Sequence, residues 1–174
     1  DIGSQKTILN ESTDVKIVES KTNVNTFNAK IERLKNYLIA ENLTLRIIEQ
    51  EYNTPIRRNV KFKDHKNTFD GLIDLEGKII GIEIKYFDKI DNEYVAPVSL
   101  HYRRRLHSFS RAMKQYFPQK KYLFELVIVL DHDSLKFRNY LEKMLINENN
   151  IKIRFYEFKI LKSKFGICDD VPSN

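Results

Sequence analysis

Three ionisable residues stand where the pattern is otherwise that of buried strands. Asp70 lies in the run Thr68 to Leu75, and Glu83 and Lys85 lie in the run Lys78 to Phe87, with only Glu76-Gly77 between the two. A two-residue turn at that dipeptide sets Leu75 against Lys78, and counting outward sets Asp70 across from Glu83. Directly opposed residues have Cβ atoms about 5 Å apart, so two carboxylates there repel unless a cation sits between them. Lys85, two residues beyond Glu83, projects from the same face. The intervening Ile80, Ile82 and Ile84 are core residues in type, and charges that interrupt such a strand mark a functional site. Two carboxylates at this spacing suit a hard divalent cation such as Mg²⁺, which keeps several waters and also takes substrate phosphate oxygens. Such a cation makes water a usable nucleophile near neutral pH, and the Lys85 ammonium can orient that water or stabilise charge growing on a phosphorane. The chemistry indicated is phosphodiester hydrolysis. The competing reading places Glu83 and Lys85 on the solvent face of an edge strand, with Asp70 in a turn.

The elements needed to hold these groups can be read along the chain. Phe27, Ile31, Leu34 and Leu38 recur at helical spacing, with Asn25 or Thr26 as the expected cap. Residues 43–52 fit either a strand or more helix, and 59–63 alternates as a strand. After the hairpin and a polar loop over 88–98, Tyr102, Leu106, Phe109, Met113 and Tyr116 predict an amphipathic helix over 101–117, stopped by Pro118. Residues 122–130 read as a strand buried on both faces. Asp133 or Ser134 would cap a helix reaching about residue 146, and 151–158 alternates as a last strand. The expected architecture is α/β, a mixed sheet with helices on its faces. One domain over residues 25–165 is expected, with 1–24 a linker or N-terminal extension and 166–174 a tail.

The Asp70, Glu83-Ile84-Lys85 pattern straddling a hairpin resembles the PD-(D/E)xK nuclease superfamily, the restriction-endonuclease-like fold. The resemblance covers residues 26–131 and implies an αβββαβ core; Phe69 stands where the family name has proline. It implies that Asp70 and Glu83 are metal ligands, that Ile84 offers its backbone carbonyl to the same Mg²⁺, with Mn²⁺ as a substitute, and that Lys85 assists the attacking water. Many members add a glutamate from the first helix, for which Glu32 is the candidate, a solvated helix glutamate being the other reading. Asp74 rivals Asp70 by spacing, but its place beside the turn favours a solvated role.

The helix over 101–117 adds a cationic face. Arg103, His107, Arg111 and Lys114 recur opposite its apolar stripe, with Arg104 and Arg105 adjoining. In a nuclease Arg103, Arg104, His107, Arg111 and Lys114 would neutralise backbone phosphates; in the other reading they form a solvated face. Asp131-His132-Asp133 resembles a metal cluster, but a helix cap explains it more simply. His65, His101, His107 and His132 lack zinc-ligand spacing, and neither a phosphate-binding glycine loop nor a Gly-x-Ser-x-Gly elbow is present.

Composition agrees with this reading. The chain has 174 residues with 30 Lys and Arg against 24 Asp and Glu, a net charge of +6, and is 41% hydrophobic, which suits one globular core. The pI near 9.2 fits a polyanionic partner, DNA in the first instance and RNA in the second. The longest aliphatic run, Leu126 to Leu130, is far too short to span a bilayer. A single cysteine, Cys168, excludes an intrachain disulfide and fits a reducing, cytoplasmic setting. The first residue is Asp1, which suggests a processed chain or a piece of a longer protein, and a homodimer or partner subunit is a further expectation. The expected activity is a Mg²⁺-dependent endonuclease. The competing class is a nucleic-acid-binding or partner-binding module on the same fold, and a third is a basic α/β domain whose function lies in a neighbouring domain.

Overall fold

The hairpin forms where its turn residues put it. β2 (Thr68–Leu75) and β3 (Lys78–Phe87) flank Glu76-Gly77, and Gly77 takes φ 75°, a left-handed conformation that only glycine adopts without penalty. Their antiparallel ladder runs from Leu75 against Lys78 to Gly71 against Ile82, the register expected from the sequence. The computed structural model describes residues 24–90 and 95–167, with side chains from 26 to 90 and from 98 to 167. The expected linker and Cys168 lie outside the described residues, Val24 at the linker's end excepted.

Around the hairpin the described elements follow the order α1 (Val24–Tyr52), β1 (Arg57–Lys61), β2, β3, α2 (Val95–Tyr116), β4 (Lys121–Leu130), α3 (Leu135–Leu145), β5 (Ile151–Glu157) and α4 (Phe158–Lys164). The sheet order is β1-β2-β3-β4-β5; β1, β2 and β3 are antiparallel in turn, and β4 and β5 continue in parallel, connected by α2 and α3. This is a mixed α/β fold with the expected αβββαβ order at its centre.

Several boundaries differ from expectation for local reasons. Residues 43–52 are helix, because Leu43, Thr44, Leu45 and Ile48 find burial there and Arg46, Glu49 and Gln50 are good helix formers. Asn25 and Thr26 lie inside α1 and do not cap it, since extending an existing helix costs little. β1 starts two residues early, at Arg57. α2 starts in the expected loop, with Pro97 in the first turn, where its missing N–H breaks no helical bond. Ser134 caps α3 by accepting from the Phe137 N–H at 3.3 Å, while Asp133 pairs with Arg138 at 2.6 Å. α4 was not anticipated; it buries Phe158 and Leu161, three residues apart.

The chain divides into two compact units after Ile39. In the first, Phe27 and Ile31 lie on one helical face as expected but are 61% and 50% exposed. In the second, α2 lies on one face of the sheet, where Phe62, Phe69, Leu72, Ile79, Phe109, Met113 and Phe124 form a core, and α3 adds Phe137, Leu141 and Leu145 against Leu126, Ile128 and Leu130. The C-terminal part of α1 covers the other face, with Leu45 beside Gly71 and Ile82. Gly81 lets α2 sit directly on β3, because a Cβ there would lie 2.4–2.9 Å from three atoms of the buried Phe109 ring. Gly81→Ala is therefore expected to destabilise the fold by about 1–3 kcal/mol, seen as a lowered urea midpoint at unchanged slope.

Candidate functional site

The site opens where two strands part. The β2–β3 ladder stops at Gly71 and Ile82, one pair before Asp70 and Glu83. The β1–β2 ladder also skips a pair at Asp70, whose opposite number is Asn59 with φ 52°. Asparagine tolerates that left-handed backbone better than most residues, and it turns the strand locally. Gly71 consequently looks toward Leu45 on the α1 side, while Phe69 and Leu72 both join the core under α2. Regular alternation is broken at Asp70, and its carboxylate turns toward β3. There Oδ2 accepts the Ile84 N–H at 2.6 Å, the donor that a continued ladder would have paired with Phe69. The side chain thus replaces a lost backbone acceptor and stays buried, satisfying a group that would be costly to strand.

Glu83 is fully buried beneath α2. Its Oε2 accepts from Arg105 Nη2 at 2.5 Å, and Lys85 Nζ lies 3.2 Å from Oε1. Arg105 also donates to the Thr68 carbonyl and lies 4.9 Å over the Phe69 ring. Burial pushes the Glu83 carboxyl up, but Lys85 and Arg105 outweigh it and hold the group below its ordinary value of 4.5. Tyr102, buried on α2, feels the same charges. Burial drives its phenol strongly upward, with Lys85 opposing and Glu83 and Asp70 reinforcing, so it stays a neutral hydroxyl.

The structure thus gathers Asp70, Glu83, Ile84 and Lys85 at one point. Arg103 lies 3.1 Å from Glu148 and donates to the Met144 carbonyl at 2.5 Å, and His107 lies 3.6 Å from the same Glu148. Arg104, Arg111 and Lys114 are exposed along α2. Glu32 is exposed in the first unit, 4.0 Å from Lys35, and Asp74 is exposed beside the turn, paired with Lys120. Sequence reasoning missed the central role of Arg105. Its signal was present: Arg105 lies three residues after Tyr102 and four before Phe109, a charge inside the apolar stripe.

A second buried charge was also missed. Glu125 on β4 is fully buried on the α1 side, bonded to Tyr52, 3.0 Å from Arg154 and 3.5 Å from Lys152, with Glu51 completing the group on Arg154. Burial first, and then Glu125, push the Tyr52 phenol up to about 12. Each cation of this group already faces a carboxylate, so it ties α1 and β5 to the centre of the sheet.

The donor set fits a hard divalent cation. Glu83 Oε1 is buried with the Lys85 ammonium 3.2 Å away, Asp70 supplies a second buried carboxylate, and both are oxygen ligands of the kind Mg²⁺ takes one or two at a time. Among the described residues no group of three His, Cys, Asp or Glu side chains is placed to hold a metal, and no helix is long and apolar enough to cross a membrane.

No family model matches the sequence, and no curated protein matches it. Among solved structures, the chain is similar to the crystal structure of an XisH family protein from Nostoc punctiforme PCC 73102, with a TM-score of 0.46 and 16% identity over 71% of this chain and 94% of that one.

Proposed function

We propose that the chain is a Mg²⁺-dependent phosphodiester hydrolase of the PD-(D/E)xK type, an endonuclease acting on DNA. The observation that carries this reading is that Asp70, bonded to the Ile84 N–H at 2.6 Å, stands next to Glu83 where β2 and β3 part, with Lys85 Nζ 3.2 Å from Glu83. Asp70, Glu83 and the Ile84 carbonyl would hold the cation, and Mn²⁺ would substitute. When bound, the cation supplies Lewis acidity toward phosphoryl oxygens and activates water. The chain's own groups do the rest. Lys85 presents a positive charge at the mouth of the site, where it orients an incoming water and meets charge developing on the phosphate. Arg105 keeps Glu83 ionised and fixes its direction. Exposed Arg104, Arg111 and Lys114 would contact backbone phosphates, whereas Arg103 and His107 act through the α3 end they hold. Cutting both strands with one site per chain would call for two chains.

One observation favours a second reading, a binding module on the same fold. Glu83 already has two cations, and Asp70, Glu83, Lys85 and Arg105 sum to zero charge by themselves. Plasmid incubated with the protein in Mg²⁺, in Mn²⁺ and in chelator, beside Lys85→Ala, separates the two. The nuclease reading expects metal-dependent nicking or linearisation that Lys85→Ala lowers at least 100-fold. Salt-sensitive DNA binding without cutting in any metal would establish the binding module instead.

A further inference from the structure

We propose that the outer edge of β1 and the turn after it form a docking strip for the backbone of a DNA duplex, leading it to Asp70; this rests on the nuclease reading above. Residues 57–66 carry Arg57, Arg58, Lys61, Lys63 and Lys66 against one acid, Asp64. β1 is the edge of the sheet, and all five cations are exposed. Arg58 is engaged by Glu49 at 3.8 Å and Asn42 at 3.3 Å, and Asp64 is taken by Gln115 and Tyr116. Arg57, Lys61, Lys63 and Lys66 have no ion-pair partner among the described residues.

Their position points to the candidate site. Asn59, at the middle of β1, stands opposite Asp70 across the β1–β2 ladder, so the strip runs one strand away from the residue whose carboxylate turns to β3. At its far end the turn packs on α2, with His65 3.2 Å from Gln115 and the Phe62 and Tyr116 rings stacked at 5.3 Å. Lys63 and Lys66 therefore adjoin the helix that exposes Arg111 and Lys114.

The occupant follows from charge. A second copy pairing edge to edge would bring Arg57, Arg58 and Lys61 against their own kind, a contact that such cations oppose. A duplex carries about one charge per 3.4 Å of axis on each strand, so the five residues of β1, at about 3.3 Å each, run alongside about five phosphates of the nearer strand. Phe62 is buried and the His65 ring is taken up by Gln115 and Tyr116, which favours backbone contacts over stacking of bases.

Binding of a fluorescein-labelled duplex in chelator, and plasmid cutting in Mg²⁺, test this on the wild type, R57Q/K61Q, K63Q/K66Q and the control K159Q on α4. Each double variant is expected to bind about tenfold more weakly at 0.1 M salt and to lower the slope of log affinity against log salt by about 1.8, roughly 0.9 per lost phosphate contact, while K159Q changes neither. Circular dichroism melts confirm folding, and the two pairs are independent. Wild type that binds with a salt slope which neither pair alters overturns the strip and leaves the nuclease reading standing. Wild type that neither binds nor cuts overturns both.

Discussion

Asp70→Asn is expected to leave the melting temperature within a few degrees of wild type while slowing plasmid cleavage about 10³-fold, about 4 kcal/mol of barrier. The two effects separate because Asp70 serves two ends with one side chain. Its Oδ2 accepts the Ile84 N–H where the β2–β3 ladder has stopped, and an asparagine carbonyl can accept that bond equally well. A hard cation, however, loses an anionic ligand, and a neutral amide is a poor replacement. Asp70→Ala removes both functions. It leaves the Ile84 amide without an acceptor inside the protein, which costs about 1–3 kcal/mol in addition to the lost activity. Initial cleavage rates and urea melts of the two variants give the answer. Asp70→Asn that cuts at the wild-type rate removes Asp70 from the metal site, and Asp70→Asn as unstable as Asp70→Ala removes the hydrogen bond as its structural role.

The hairpin is legible in the sequence because a two-residue turn leaves one register, and that register sets Asp70 near Glu83. The sequence does not show that the ladder breaks one pair short of them. That break depends on Asn59, on a different strand, taking a left-handed backbone opposite Asp70, and no local pattern announces it. The end of α1 stays open in the sequence for another reason. Residues 43–52 are too short and too mixed in type for periodicity to separate strand from helix, and burial of Leu45 and Ile48 against the sheet decides it. The helical repeat presents the cationic face of α2 as one surface, yet Glu148, in the turn after α3, engages Arg103 and His107. Partners distant in sequence decide what a charge does, and a helical repeat reports only which face it occupies. Arg105 shows the same limit from inside: its position in the apolar stripe signals burial, but only the fold supplies Glu83 and the Thr68 carbonyl to receive it.

Arg105→Met is accordingly expected to cost about 3–5 kcal/mol of stability, the effect of leaving a buried carboxylate without its closest cation. Lys85 remains 3.2 Å from Glu83 Oε1, but Oε2 and the Thr68 carbonyl lose their donor, and the contact over the Phe69 ring goes as well. Arg105→Lys keeps the charge but not the fork that reaches two acceptors, so it should fall between the two. Acid adds a second signature. The Glu83 carboxyl is held below its ordinary value of 4.5 in the folded chain, so its stabilisation is present above the unfolded pKa and is lost as pH falls through the folded one. With Arg105 gone, burial has one fewer opponent and the folded pKa rises, so the loss sets in at higher pH. Urea unfolding between about pH 3 and pH 7 should show the wild type and Arg105→Met losing stability in different windows, the variant first. Glu83→Gln combined with Arg105→Met removes both charges, and because a buried pair replaced as a whole costs far less than one broken in half, the double variant should recover much of what Arg105→Met loses. Strict additivity of the two substitutions would mean that Arg105 and Glu83 do not depend on each other, and the charge balance at the parting of β2 and β3 would need another origin.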